Sequence, residues 1–409
     1  MENAVDANRR SFLKKLAHSA IALPIGIQFS KSGFAGSKPE SSPPPVPGKE
    51  DLKIMSDRPL NLESSQHLLD DEITPTERMF VRNNGHVPSI SSKDILDWRL
   101  VVDGEVENPT RFSMQDLKTK FRTYTYQLVL ECGGNGRAAY IPQTPGTQWT
   151  YGAVACPLWE GVRLKDVLDY VKVKKSAVYL GYYGHDMHLS GDPNKVTISR
   201  GFPISKALDE MTLIAFGMNG KDLSPLHGFP ARLVCPGYPA SASGKWLKRL
   251  WIRDRVHDGM KMTGKAYRVP SYPVPPGSEI PDKDMKIIEE MPVKSLITFP
   301  KCGAHLTWKQ NQEFHCRGFA WSGFGEIREV HVSYDFGKSW IKGSLKKARN
   351  KFAWQRWEAN FSFPSKGYYE IWARATDLTG SMQPMLVPGW NPEGYLNNAM
   401  PRIGIYADA

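Results

Sequence analysis

Four prolines fall within ten residues between Tyr272 and Pro281 (Pro273, Pro275, Pro276 and Pro281), and the chain changes rhythm across them. Proline fixes φ and withholds a backbone donor, so such a run joins units rather than packing inside one. Upstream, from about Asp51 to Met291, strand-like runs mix with short helical patterns and frequent glycine and proline. Val162, Leu164, Val167, Leu168 and Val171 recur at helical spacing and predict one amphipathic helix. There is no regular βαβ repeat, no GxGxxG and no Walker pattern. The expectation is therefore an α+β domain rich in loops. Downstream, Val330, Val332 and Tyr334 alternate with His331, Ser333 and Asp335, and Tyr369, Ile371, Ala373 and Ala375 keep the same period of two. Turns at Asp335-Phe336-Gly337 and Asp377-Leu378-Thr379-Gly380 divide these strands. This rhythm predicts an immunoglobulin-like β-sandwich. A chain of 409 residues exceeds what one ordinary core supports, so two domains are expected.

The N-terminus carries Arg9-Arg10-Ser11-Phe12-Leu13-Lys14, then a modest apolar stretch from Leu16 to Ile27. Charged region, twin arginines and apolar region in that order predict a twin-arginine export signal over residues 1–35 and a periplasmic protein. The apolar stretch is too short for a stable membrane anchor. Residues 36–50, with Ser41-Ser42-Pro43-Pro44-Pro45, read as an extended linker. The expected organisation is then the α+β domain over 51–290 and a β-sandwich over 291–409. Net charge is +11, but the basic residues are scattered, which favours a solvated surface or a basic site for a small anion over nucleic acid. Cys132, Cys156, Cys235, Cys302 and Cys316 form no CxxC or zinc-type spacing. The count is odd, so at least one thiol stays unpaired in a monomer, and Cys132 is the candidate. Spacing fixes no pairing among the others.

Cys132 follows the apolar run Leu128-Val129-Leu130 and opens the turn Glu131-Cys132-Gly133-Gly134-Asn135-Gly136-Arg137. Alone, a cysteine after a strand is more often a buried apolar thiol. Here glycines allow close approach of a bulky group, a thiolate is a soft metal ligand, and a guanidinium five residues on is a fixed cation for an oxyanion.

Taken with Phe80-Val81-Arg82-Asn83, His227-Gly228-Phe229-Pro230-Ala231-Arg232, Ser243-Gly244-Lys245-Trp246 and the alternating C-terminal part, the loop resembles the sulfite oxidase family of molybdenum enzymes over residues 51 to 409. The resemblance implies a molybdopterin-binding domain followed by an immunoglobulin-like dimerisation domain, and molybdenum–molybdopterin with Cys132 as the protein ligand to the metal. It implies cofactor contacts from Phe80, Asn83, Asn84, Asp186, His227, Arg232, Ser243, Gly244 and Lys245. Asn84 stands where many members have histidine. Substrate arginines would be Arg82, Arg137 and Arg402, with Trp149 walling the pocket and Tyr267 bonding a substrate oxygen. Arginine suits such an anion because its planar fork grips two oxygens and stays charged.

The activity so implied is oxidation of sulfite to sulfate, with sulfite as a free small-molecule substrate. There is no CxxCH haem attachment and no cytochrome b5-like module, so no haem is expected on this chain, and electrons would leave to a separate c-type cytochrome. A homodimer is implied through the sandwich. Two further readings stand beside this one. A sulfane dehydrogenase subunit would oxidise sulfur carried on a partner protein, and a cofactor-free periplasmic binding or scaffold protein would hold no molybdenum. A methionine sulfoxide reductase fits less well, because that relative lacks the second domain.

Overall fold

Leu164, Val167, Leu168 and Val171 form the buried face of a helix, Leu164–Val171, which stops where Lys172 turns left-handed at φ 54°. Val162, on the same apolar rhythm, belongs instead to the preceding strand Leu158–Arg163. The computed structural model describes residues 45–408. The twin-arginine stretch and residues 36–44 of the expected linker lie outside the described residues. Among the described residues no helix is long and apolar enough to cross a membrane.

The helix packs on a five-stranded sheet ordered Gly201–Pro203, Tyr179–Gly184, Leu247–Arg253, Leu100–Gly104, Thr110–Phe112. Only the pairing of Leu247–Arg253 with Leu100–Gly104 is parallel. A second sheet runs Lys221–Asp222, Leu213–Met218, Leu158–Arg163, Thr123–Gln127, with Arg232–Val234 also paired to Leu213–Met218. Every residue of Leu213–Met218 is buried, as expected of a strand covered on both faces. This is the α+β domain that the irregular upstream pattern predicts.

The Pro-rich run is exposed and bridges two strands, Arg268–Pro270 and Met285–Ile287, that pair with each other. Beyond it lie two antiparallel-rich sheets. One is Lys294–Phe299, Phe314–Trp321, Gln355–Phe361, Ser344–Leu345; the other is Ala304–Thr307, Arg402–Asp408, Gly367–Asp377, Ile327–Ser333, Ile341–Lys342. Val330 and Val332 of one sheet meet Cys316 and Trp357 of the other in one apolar core with Ile371, Ala373 and Ala375. The immunoglobulin-like β-sandwich follows from that alternation.

The two halves interlock. Asn391 to Asn398, late in the sandwich half, lies over the Cys132 turn: the Leu396 amide donates to the Gly133 carbonyl (3.0 Å) and the Asn397 side-chain amide to the Gly136 carbonyl (2.8 Å). Residues 45–50, read as linker, are not wholly extended. Val46 packs beside Leu52, Leu62 and Val81, and Lys49 is buried.

Candidate active site

The strand Leu130–Glu131 pairs with Val154–Ala155 and delivers Cys132, whose amide donates to the Ala153 carbonyl (2.9 Å). Gly136 closes the turn at φ 90°, a left-handed conformation natural to glycine. A Cβ at Gly134 would stand 2.3 Å from the Arg137 guanidinium, so a side chain there would displace that group. Glu131, buried at the strand end, accepts from Lys294 Nζ (2.6 Å), Trp321 Nε1 (2.9 Å) and Asn135 Nδ2 (3.0 Å). Lys294 and Trp321 belong to the sandwich half, which therefore helps to hold the cysteine turn.

Cys132 lines a cavity that also gathers Phe80, Arg82, Asn83, Asn84, Asp186, His227, Arg232, Ser243, Gly244, Lys245 and Tyr267. All ten residues expected to hold the cofactor are thus in one place, with Arg82 and Tyr267. Arg232 is buried, and each of its bonds goes to a neutral carbonyl: Leu233 (3.2 Å), His227 (3.0 Å) and Ser243 (3.0 Å). Burial lowers its pKa. Burial, then Lys49, Lys245 and Arg232, hold His227 well below the usual imidazole range, so it is neutral. Lys245 Nζ donates to the Leu226 carbonyl (2.9 Å) and to Asn83 Oδ1, and burial followed by Arg232 depresses it strongly. Asp186 is the only carboxylate on the wall among the described residues, and burial raises its pKa.

Three expected residues sit elsewhere. Trp149 is fully buried behind the wall, edge-on to Phe80 with ring centroids 6.3 Å apart, and its indole N–H has no partner among the described residues. Arg137 does not line the cavity. Its Nε donates to the Glu393 carbonyl (2.7 Å) and one terminal nitrogen to the Thr147 carbonyl (2.9 Å). Its guanidinium lies 5.1 Å from the Tyr395 ring centroid, and Tyr395 stacks on Tyr267 at 5.3 Å. Arg402 is a correction. It is exposed at the start of the strand Arg402–Asp408, over Trp372, and not at the cavity. Ile403, Ile405 and Ala407 face the sandwich core, so strand alternation turns Arg402 outward.

Other residues of the site carry no motif. Arg200 is buried, lies 4.6 Å from the Tyr267 ring centroid, bonds Ser241 Oγ (3.0 Å), and its Nε has no partner among the described residues. Arg137, Tyr395, Tyr267 and Arg200 thus form a row in which two buried guanidinium groups flank two stacked phenol rings. Neither guanidinium has a carboxylate within ion-pair distance among the described residues, which leaves uncompensated positive charge beside the cavity. Lys261 joins Arg82 in donating to Asn84 Oδ1 (2.7 and 3.1 Å). Sequence offered no signal for Arg200 or Lys261, because neither lies in a local pattern.

Burial, and then Arg82, lower Lys261 to about 8. Below that pH the ammonium is charged and draws an anion; above it the charge is lost. Binding of sulfate, a small dianion, should therefore weaken by about three- to tenfold between pH 7 and 9. In Lys261→Met that step should vanish. An unchanged profile in the variant would exclude Lys261 from anion binding.

The donor set fits a metal held mainly by an organic cofactor. No group of three or more His, Cys, Asp or Glu side chains gathers as a metal site among the described residues, so a metal beside Cys132 needs its other donors from outside the chain. Arg232, the Lys245 amine, which a neighbouring phosphate would favour as the ammonium, and the neutral His227 ring suit a phosphate tail. A Cβ at Gly244 would reach within 2.3 Å of the Tyr182 ring, so the wall is bare there.

Fold and site together define a molybdopterin-binding oxidoreductase. Residues 84–261 match the family described as "Oxidoreductase molybdopterin binding domain", and residues 285–408 match the "Mo-co oxidoreductase dimerisation domain". The chain is 31% identical to sulfite oxidase of Gallus gallus over 381 residues, covering 90% of this chain and 79% of that protein. It is 31% identical to mitochondrial sulfite oxidase of Homo sapiens (87% and 66%) and 29% identical to an NADPH nitrate reductase of Fusarium oxysporum (87% and 43%). It therefore spans less than two thirds of those two longer relatives. The sulfane dehydrogenase SoxCD from Paracoccus pantotrophus superposes with a TM-score of 0.71 at 26% identity, over 90% of this chain and 91% of that one. The chain belongs to the sulfite oxidase family.

Proposed function

We propose that this protein oxidises sulfite to sulfate. In this reading it is exported to the periplasm by the twin-arginine route, acts as a homodimer through its sandwich, and passes electrons to a separate c-type cytochrome. The observation that carries the substrate class is the surplus of basic side chains around Cys132. Arg82, Arg232 and Lys245 line the cavity against the lone carboxylate of Asp186, with Lys261, Arg137 and Arg200 at one remove. Such a site suits an anionic cofactor tail together with a small anionic substrate.

Bound at Cys132, molybdenum–molybdopterin would supply the two-electron oxygen transfer that no side chain performs. The chain's own residues do the rest. Arg82 binds the sulfite oxygens and is positioned by Asn84 and by Asn61 Oδ1 (3.4 Å). The Tyr267 phenol donates to a substrate oxygen, its ring fixed between Tyr395 and Arg200. Met79, Phe80 and Leu130 keep the wall apolar and exclude water, which strengthens each of these contacts.

Sulfite gains one oxygen from water and gives up two electrons and two protons, so a one-electron cytochrome must visit twice. The test is an anaerobic assay of molybdenum-loaded protein with sulfite and oxidised cytochrome c or ferricyanide. Loss of one charged hydrogen-bond partner costs about 1.5–3 kcal/mol. Arg82→Met should accordingly raise KM for sulfite about 10- to 100-fold, whereas Arg402→Ala should stay within about threefold of the parent. Full molybdenum occupancy without sulfite turnover would reject this function.

The likeness to SoxCD supports a second reading, in which the substrate is sulfur carried on a partner protein. Turnover of a carrier-bound persulfide without turnover of sulfite would establish it. Nitrate reduction in the same preparation would place the chain beside its nitrate reductase relatives instead.

A further inference from the structure

Lys49 lies in the turn before the strand Lys53–Asp57, in the stretch that reads as linker, yet it is only 4% exposed. Its ammonium donates to the carbonyls of Met79 (2.7 Å) and Thr76 and lies 2.9 Å from His227 Nε2. Three acceptors match the three protons of an ammonium. Where Lys49 is charged it can only donate, so His227 Nε2 then presents its lone pair and the ring proton sits on Nδ1. His227 lines the cavity beside Lys245 and Arg232. Val46 and Leu52 pack in one small apolar group with Leu226, the neighbour of His227, which holds the N-terminal turn against this wall. The groups facing Lys49 are Glu77, which favours its charge, His227, and the like-charged Lys245. Lys245 and Arg232 also act on His227.

We propose that Lys49 is a positioning residue of the cofactor site: it fixes His227 as an Nδ1–H donor and adds its own charge to the end of the cavity that takes the cofactor's terminal phosphate. The proposal rests on the molybdopterin reading above. It makes the N-terminal turn a functional part of the wall. Burial holds Lys49 at about 7 in the structure described. A phosphate nearby favours the ammonium, so binding and this tautomer reinforce each other.

The test uses full-length protein expressed with an intact cofactor pathway, as wild type, Lys49→Arg, Lys49→Gln and Lys49→Met. Molybdenum and pterin content are followed after prolonged gel filtration between pH 6 and 9, and the His227 ring is followed by nitrogen NMR of histidine-labelled chain. Wild type and Lys49→Arg should show the Nδ1–H tautomer and retain the cofactor. Lys49→Met and Lys49→Gln should lose cofactor at least tenfold faster and lose that tautomer. Wild-type retention should weaken as pH rises through 7, and the two neutral variants should lack that dependence. If the neutral variants hold cofactor as long as wild type with an unchanged His227 ring, the proposal is overturned. If wild type itself carries no molybdenum or pterin, the molybdopterin reading fails instead. Circular dichroism identifies a misfolded variant; the wild-type pH dependence then decides, and a flat profile overturns the proposal.

Discussion

Cys132→Ser should fold and yet turn over sulfite at least about 100-fold more slowly than the parent. The figure is a lower bound, because losing even an outer partner of a metal ligand costs about 10- to 100-fold. The fold should tolerate the change. Cys132 is buried, serine is isosteric, and the turn is held by backbone bonds from Cys132 to Ala153 and from Asn135 to Cys132, which a side-chain exchange leaves intact. The chemistry should not tolerate it, because a hydroxyl is a harder and far less acidic donor than a thiol. Arg232, Lys245 and His227 remain, so pterin should stay bound while turnover falls. Measuring molybdenum, pterin and turnover on one preparation separates the two effects. Wild-type turnover in the serine variant would remove Cys132 from the metal. The other four thiols are free, and burial pushes Cys156, Cys235 and Cys316 up to about 12, so none of these three offers a ready thiolate in its place.

Lys294→Met should destabilise the protein by about 3 kcal/mol, near the lower end of what breaking a buried ion pair costs. Lys294 and Glu131 are both buried and lie 2.6 Å apart, so removing the ammonium leaves a buried carboxylate without its counter-ion. Trp321 Nε1 and Asn135 Nδ2 still donate to Glu131, which keeps the cost from rising further. The damage should extend to the site, since Glu131 precedes Cys132 and Lys294 also bonds the Asn135 carbonyl (3.0 Å). Denaturant unfolding of the parent, Lys294→Met and Lys294→Met/Glu131→Gln measures this. The double variant should recover more than half the loss, because it removes the stranded charge as well. A single variant within about 0.5 kcal/mol of the parent would show that the ion pair does not brace the cysteine turn.

Much of the site was legible because its groups travel in short segments. His227 to Arg232 and Ser243 to Trp246 each bring two or more residues to the cavity, and Glu131 to Arg137 brings Cys132. Arg402 was misplaced although a signal existed: the period-two run Ile403, Ile405, Ala407 already sets it on the outer face. Arg137 was correctly tied to the cysteine turn, but its contact with the site passes through Tyr395, a residue more than 250 positions away. The helix Leu164–Val171 and the sandwich were readable from periodicity alone, because burial of one face imposes that period.

The sequence by itself determined the α+β domain and the sandwich, the family, and the thiol, glycines and most basic groups of the cofactor cavity. All of these depend on local patterns of side-chain chemistry. Tertiary structure alone decided that Lys49 and Lys261 join the cavity's surroundings, that Arg200 and Arg137 flank the Tyr267–Tyr395 pair, and that Lys294 braces the cysteine turn. Those groups meet across long stretches of chain. Their charges are buried where desolvation must be offset by partners, and only packing of distant segments determines which partners each one finds.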